Sequence, residues 1–488
     1  MKFSANSAVA FALMTGAMFV TSCANDVETD INIDPTGNAI SFSPVVGHSA
    51  RATETKIDNL GDFAVVARGM HHDGILYDAF LIGSGTTGDI AKRDGTSSIW
   101  NLNHNVYWPS SLEQVMFFAY TTLKAGESSE NGVLDGAKFG FDSNKNPFIE
   151  GYQPKKADLT VQSDEESAVW SDGKEQKDLL VAYTKQARTT SPTTVSLNFQ
   201  HALTQVSITA KQKDKTSKDN RIVKIKGAWI VNAAAKGKLS ANLNYNPGDK
   251  TTNYTQSWTG SDKATYGSFY NQIIQLNDKD NIDLLRPENA DGKLGSLMLI
   301  PENLTAWDKV NNTTGAYILL LCRVELVHSG ATHTSTGDTD VNMDDIATDG
   351  TNHYHQLFPV NTDIYNGAQY GFVCVPLSST WNTPDDETGI LEGIGKHYTY
   401  NLDICGATTD AGLYPPTMSD TEISKLIPAG SKVSVIGKEG LENLVIVKDR
   451  PSGKNVGDPV LDRPIQFSVT VAGWADPEEG WTPGNGDF

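Results

Sequence analysis

Ile465-Gln466-Phe467-Ser468-Val469-Thr470-Val471 carries an apolar side chain at every second position. Side chains along a strand point alternately to its two faces, so Ile465, Phe467, Val469 and Val471 share one face. The same period returns in Val195-Ser196-Leu197-Asn198-Phe199, in Val206-Ser207-Ile208-Thr209 and in Ile40-Ser41-Phe42-Ser43. Arg221 to Ile230 alternates as well. Phe63 to Ala67, Val115 to Tyr120 and Leu179 to Tyr183 are apolar runs that read as buried strands, and Leu297 to Ile300, Ala316 to Leu326, Tyr370 to Val375 and Tyr398 to Ile404 follow. Helical signal is confined to Ser419 to Leu426, with Ser419 or Asp420 as cap. With 43 Gly and 20 Pro among 488 residues, turns outnumber long elements. These features predict an all-β chain built of β-sandwiches.

At roughly 100–200 residues per domain, the length suits two or three domains. A polar stretch from Arg188 to Pro192 separates two strands and marks a boundary. Lys124 to Val161 and Gly330 to Asp363 read as polar surface insertions. The formal net charge of −20 disfavours nucleic acid, whose binding needs Lys and Arg to neutralise phosphates. It disfavours anionic membrane surfaces for the same reason.

Lys2 precedes an apolar run, Val9 to Val20, which is too short to span a bilayer at 1.5 Å per residue. The run ends in Val20-Thr21-Ser22-Cys23, a junction similar to the lipobox at which a cysteine is diacylated and becomes the mature N-terminus. Residues 1–23 are therefore expected to be a lipoprotein signal peptide with lipidated Cys23. Any membrane attachment is through that lipid. Asn25 to Asp34 is an acidic spacer. The remaining cysteines, Cys322, Cys374 and Cys405, are odd in number and argue against a disulfide framework; Cys322 and Cys374 lie in apolar strands.

Signatures of chemistry are sparse. There is no Gly-rich phosphate loop, no C-x-x-C pair and no H-E-x-x-H helix. His71-His72-Asp73 and His353-Tyr354-His355 lack a third and fourth metal ligand. Asp338 to Asp344 has oxygen ligands at alternate positions but lacks the sixth-position glycine of a calcium loop. His201 reads as a structural histidine bonded to backbone. Trp100, Trp108, Trp170 and Trp258 read as core residues before they read as a sugar platform. No metal, cofactor or enzymatic activity is expected.

Five pieces of the chain together resemble the fimbrillin family, the subunits of type V pili. They are Thr21-Ser22-Cys23 with its acidic sequel; Ile40-Ser41-Phe42 before Ser49-Ala50-Arg51-Ala52-Thr53; Tyr107-Trp108-Pro109 before Met116-Phe117-Phe118-Ala119-Tyr120; Asp178-Leu179-Leu180-Val181-Ala182 before Leu197-Asn198-Phe199-Gln200-His201-Ala202-Leu203; and Leu299-Ile300-Pro301. The terminal Ile465 to Trp474 stretch also fits. The resemblance implies two tandem transthyretin-like β-sandwiches, with a propeptide at 24–51, an N-terminal domain at 52–190 and a C-terminal domain at 191–488. It implies outer-membrane export, cleavage by an arginine-specific surface protease between Arg51 and Ala52, and loss of a first strand carrying Ile40 and Phe42. The groove so opened is filled by a donor strand of another pilin subunit, here carrying Ile465, Phe467, Val469 and Val471, in a homo- or hetero-polymer. Arg68 is the second candidate for the cut. The terminal strand could equally pair only within its own domain. Two other readings stay open: a tip adhesin or a surface lipoprotein that does not polymerise, either binding host glycan or protein.

Overall fold

A computed structural model of the chain describes residues 39–46, 60–70, 76–95, 97–109, 112–121, 136–187, 194–212, 220–246, 251–285, 295–330, 346–360, 366–384, 391–406 and 408–473. The strands run in chain order as β1 (Ser41–Val46), β2 (Phe63–Met70), β3 (Leu76–Ile82), β4 (Asp89–Arg93), β5 (Trp100–Leu102), β6 (Gln114–Thr121), β7 (Lys138–Phe141), β8 (Pro147–Tyr152) and β9 (Val169–Ser171). The four-residue helix α1 (Asp172–Glu175) precedes β10 (Leu180–Ala187), β11 (Thr194–His201), β12 (Thr204–Lys211), β13 (Arg221–Asn246), β14 (Thr251–Gln275), β15 (Ile282–Asp283) and β16 (Leu297–Leu299). Then come β17 (Tyr317–Ser329), β18 (Ile346–Thr348), β19 (Asn352–Phe358), β20 (Gln369–Pro376), β21 (Lys396–Asp403), the helix α2 (Asp420–Ile423), β22 (Lys432–Ser434), β23 (Leu441–Asn443), β24 (Val445–Val447) and β25 (Gln466–Gly473). The all-β expectation holds. Ser419 caps α2 by accepting from the Glu422 amide, and Glu422 reaches back to the Ser419 amide.

The first sheet closes on itself. β2 pairs with β4, β4 with β5, β5 with β1, β1 with β11, β11 with β10, β10 with β6, and β6 with β2 again. β3 lies beside β2. The alternation of β11 decides its orientation: Val195, Leu197 and Phe199 point inward and are buried, while Thr194, Ser196, Asn198 and Gln200 are exposed. The interior of the ring gathers Ile40, Phe42, Phe63, Trp100, Phe117 and Phe199. β11 lies beyond residue 190, so the chain leaves this sheet only after His201.

β6 reads as a continuous apolar run because both its faces are buried. Phe117 and Ala119 face the ring interior, while Met116, Phe118 and Tyr120 face outward onto a second cluster with Phe139, Ile149, Leu239 and Trp258. That outer cluster belongs to β7, β8 and the far half of an extended ribbon, β13 with β14. At about 3.3 Å per residue each ribbon strand is about 80 Å long. Its near half pairs with β17, and its far half reaches β8. The stretch Lys124 to Val161, expected to be a loop, therefore contains a hairpin that joins the ribbon, and Gly330 to Asp363 contains β18 and β19.

The second half is a two-layer sandwich. One layer is β15–β12–β21–β25, with β16 on β12. The other is the ribbon with β17, β18, β19, β20 and β24. Between them lie Val206, Ile208, Ile225, Ile318, Leu320, Tyr400 and Trp381. β17 is buried on its other face too, where Leu319 and Leu321 meet Trp229, Phe269 and Leu426.

Close approach fixes one glycine. A Cβ on Gly267 would lie 2.1 Å from the Ala228 carbonyl oxygen and 2.5 Å from Cδ1 of Trp229. Backbone cannot swing away as a flexible side chain can, so Gly267→Ala is expected to cost about 1–3 kcal/mol in chemical denaturation. A loss near zero would mean the ribbon relaxes freely there.

Lys226 is fully buried in the ribbon, and its ammonium donates to the carbonyls of Asn271 and Lys432. Burial pulls its pKa from 10.5 down to about 7. The unfolded chain keeps that proton to the ordinary lysine range, so between pH 7 and 10.5 it binds more protons than the folded one. Stability from this group rises with pH across that window, and below pH 7 the penalty of burying the charge is complete. Measured against Lys226→Met, the wild type is expected to gain stability steadily from pH 7 to 10; parallel curves would contradict this.

Candidate functional site

Two strands at opposite ends of the described chain form the candidate site. β1 runs parallel to β11, with Ser41 opposite Thr194, Phe42 opposite Val195 and Ser43 opposite Ser196. On its other edge Ser41 and Phe42 lie antiparallel to Asn101 and Trp100. The Ile40 amide donates to the Val106 carbonyl at 2.7 Å. Ile40, Phe42 and Pro44 point into the ring. Phe42 is 0% exposed and meets Phe63 and Phe117 edge-on, with ring centroids 6.2 and 6.1 Å away. β1 is thus the piece that closes the ring between β5 and β11.

β25 has the opposite environment. It pairs along its whole length with β21, from Gln466 opposite Asp403 to Gly473 opposite Lys396. No described strand pairs with its other edge. Phe467, Val469 and Val471 stand opposite Leu402, Tyr400 and Tyr398, three residues of the sandwich core. They therefore face the way the core faces, yet the facing layer does not extend over them. Phe467 is 37%, Val469 43% and Val471 52% exposed. On the other face a polar ladder runs from Thr209 through Asn401 to Thr470, at 2.8 and 3.1 Å. Ile465 differs from its three companions: it is buried in the sandwich core beside Gly412.

Of the residues expected to act in assembly, Ile40, Phe42, Ile465, Phe467, Val469 and Val471 are described. Cys23, Arg51 and Ala52 lie outside the described residues, as do His71-His72-Asp73 and the Asp338 to Asp344 stretch. Arg68, the second cleavage candidate, is inside β2 and 3% exposed. Its Nε donates to the Tyr77 carbonyl at 2.7 Å and its guanidinium lies over Phe80. A protease needs an extended, reachable segment, and Arg68 does not offer one.

The residues singled out for possible chemistry lie in structural settings. His201 Nδ1 lies 2.7 Å from Oδ2 of Asp178, both buried, so its partner is a carboxylate and not only backbone. Trp100, Trp108, Trp170 and Trp258 are all buried. Cys322, Cys374 and Cys405 are free and buried, and burial pushes the Cys322 and Cys374 thiols far up from their ordinary range. His328, which the sequence did not single out, stacks on His353 across the strands. Among the described residues no group of His, Cys, Asp or Glu is set to hold a metal ion. No helix among them is long and apolar enough to cross a membrane.

The sequence profile of the fimbrillin-like family matches residues 50–320, more than half of the chain. The chain belongs to the fimbrillin-like family. That family places it among exported cell-surface fimbrial proteins. A fimbrial protein from Bacteroides vulgatus is 16% identical to it, with 76% of this chain and 96% of that one covered and a TM-score of 0.41. A fimbrial assembly protein from Parabacteroides distasonis is 9% identical, with 75% and 91% covered and a TM-score of 0.25. No curated protein sequence matches the chain.

The two strands of this fimbrillin-like chain predict contrasting mutants. Phe42→Ala empties a filled core position and is expected to cost about 3–5 kcal/mol in the uncut protein. Phe467→Ala removes a side chain that is 37% exposed and lies near the Tyr400 ring, and should cost less, about 1–2 kcal/mol. Denaturant titration of both variants checks this; equal losses would mean that the terminal strand is core.

Proposed function

We propose that this chain is a structural subunit of a bacterial surface pilus, assembled by strand exchange after an N-terminal strand is cut away. In this reading Cys23 carries lipid during export to the outer membrane, so the lipid is a transit device. An arginine-specific surface protease cuts between Arg51 and Ala52. β1 is then held only by its hydrogen bonds and side chains, and it can leave.

The observation that carries the reading is the complementary state of β1 and β25. One is an apolar strand buried in a ring it closes. The other is an apolar strand whose face its own sandwich leaves uncovered. Loss of β1 would strip β5 and β11 of backbone partners and leave an apolar slot beside Phe63 and Phe117, a costly state in water. A strand from another subunit supplies both the hydrogen bonds and alternate side chains. Burying Phe467, Val469 and Val471 gains about 0.8 kcal/mol per CH₂ removed from water. Donor and acceptor are different surfaces, so the contact is head-to-tail and builds a filament.

The test is treatment of the purified full chain with an arginine-specific protease, followed by N-terminal sequencing and electron microscopy. The wild type is expected to give a mature start at Ala52 and filaments. Arg51→Ala is expected to stay uncut at that site and monomeric. A wild-type product that begins at Ala52, has lost β1 and stays monomeric would overturn assembly by strand exchange.

A further inference from the structure

Arg450, in the second half of the chain, meets no carboxylate. Its Nη1 and Nη2 both lie 3.2 Å from the hydroxyl of Thr417, a neutral oxygen, and no Asp or Glu among the described residues pairs with it. The neighbouring cations are paired: Lys309 Nζ meets Asp458 at 2.9 Å and Lys448 Nζ meets Asp420 at 2.6 Å. Arg450 borders an open cleft of about 620 Å³, together with Trp307, Lys309, Pro416, Thr417 and Asn455. Trp307, in the wall of that cleft, is only 4% exposed, and its indole N–H has no hydrogen-bond partner. We propose that this cleft binds a sugar acid, a hexuronate or sialate unit, with the carboxylate held by Arg450 and the ring laid against Pro416.

A guanidinium presents parallel N–H donors that match the two oxygens of a carboxylate, and such charge-assisted bonds are roughly twice as strong as neutral ones. The Thr417 hydroxyl takes the Nη1–Nη2 edge, so a carboxylate entering there replaces a weak acceptor by a strong one. In a chain with 59 Asp and Glu against 39 Lys and Arg, an arginine kept clear of every carboxylate is available to one from outside. A buried N–H without a partner costs about 1–3 kcal/mol. A ring hydroxyl of the ligand supplies the missing acceptor for Trp307, directly or through a water.

The walls select the body that carries the carboxylate. None of these six residues lies in a strand, so the cleft offers no sheet edge for a peptide main chain to pair with. It offers a half-buried proline ring beside the exposed Thr417 and Asn455, a small apolar surface among hydroxyl and amide groups. That mixture suits a ring with C–H faces and a hydroxyl rim. Arg450 also borders a second hollow of about 30 Å³ that reaches Tyr414, whose phenol likewise lacks a hydrogen-bond partner. This hollow has room for a water and not for a sugar. The cleft lies on the outer side of the layer of β17 and β20, where Trp307 packs edge-on against Tyr317, while β25 belongs to the other layer. The inference therefore goes beyond assembly and does not rest on it.

The experiment is calorimetric titration of the full-length protein with glucuronate and N-acetylneuraminate, with acetate, glucose and triglycine as comparison ligands. At least one sugar acid is expected to bind saturably, about tenfold or more tighter than acetate, which lacks the ring, and than glucose, which lacks the carboxylate. Arg450→Gln is expected to weaken that binding about tenfold or more, the loss of a charge-assisted pair. Arg450→Lys keeps the charge without the fork and is expected to weaken it as well. Lys92→Gln, which removes a positive charge from β4 in the ring, is expected to change nothing. Melting temperatures read alongside separate lost binding from lost fold. Acetate bound as tightly as either acid leaves a plain anion site and overturns the sugar. Triglycine bound more tightly overturns it in favour of a peptide. Unchanged affinity in a folded Arg450→Gln overturns the role of the arginine, and no saturable binding of either acid overturns the site.

Discussion

The first half of this protein is a closed ring only because six residues, Ser41 to Val46, lie between β5 and β11. Those neighbours come from distant points in the chain, Trp100–Leu102 and Thr194–His201. Without β1 the ring would be an open sheet with two new edges and an interior containing Phe63, Trp100, Phe117 and Phe199 in reach of water. A single short strand therefore controls both the backbone satisfaction and the apolar closure of the unit. The outer face of the same ring is less dependent on it. There Met116, Phe118 and Tyr120 are held by β7, β8 and the ribbon, and β1 contributes none of those contacts. The side that packs on the rest of the molecule therefore draws none of its cluster contacts from the closing strand.

Much of this was legible in sequence, for a physical reason that differs from strand to strand. β1, β11 and β25 alternate because each has one face toward a core or a core-like surface, and period two is the trace of that. Phe63 to Ala67 of β2, Val115 to Tyr120 of β6 and Tyr317 to Cys322 of β17 read as unbroken apolar runs because two clusters claim their two faces. The ribbon was legible only to Ile230. Beyond it, Asn232 takes a left-handed conformation, with φ of 65°, and the pairing register shifts between Ile230 and Ala233. The following Ala233-Ala234-Ala235-Lys236-Gly237 lacks the large alternating side chains by which a strand announces itself. Small residues are what fit there: Gly237 lies against Ile300 and Trp258, and Ala234 is buried between layers. The hairpin β7–β8 was hidden in a stretch whose overall polarity outweighs Phe139 and Ile149.

The candidate site was legible in part. Ile40 and Phe42 show through their alternation that they share a buried face. The exposure of Phe467, Val469 and Val471 left no trace, since a strand at the end of a layer has the same alternation as one in the middle. What decides the matter is how far the facing layer extends, a property of residues distant in sequence. Buried charge was equally silent. Arg323 and Glu325, both fully buried in the apolar run of β17, form a 2.5 Å ion pair, and Lys224 reaches the other carboxylate oxygen at 2.6 Å from β13. Removal of one member would strand the others without solvent, so the triad fixes how β13 and β17 align. The buried contact of His201 Nδ1 with Asp178 Oδ2 joins the end of β11 to the stretch just before β10.

Covalent continuity also bears on how the slot could change occupants. In the uncut chain β1 is tethered to Leu60 through one short connection, and its rebinding is intramolecular. Short tethers give effective concentrations on the order of millimolar, far above that of any free subunit. A donor of equal intrinsic affinity would then lose to the resident strand almost always. Cutting the tether leaves the local contacts of β1 untouched but removes this advantage, since a strand that dissociates diffuses away. From then on the contest is decided by side chains and backbone donors. Both strands carry Ile and Phe two residues apart, and Phe467, Val469 and Val471 are partly exposed where they stand. If exchange occurs as proposed, the tether is what separates the uncut ring from the cut one.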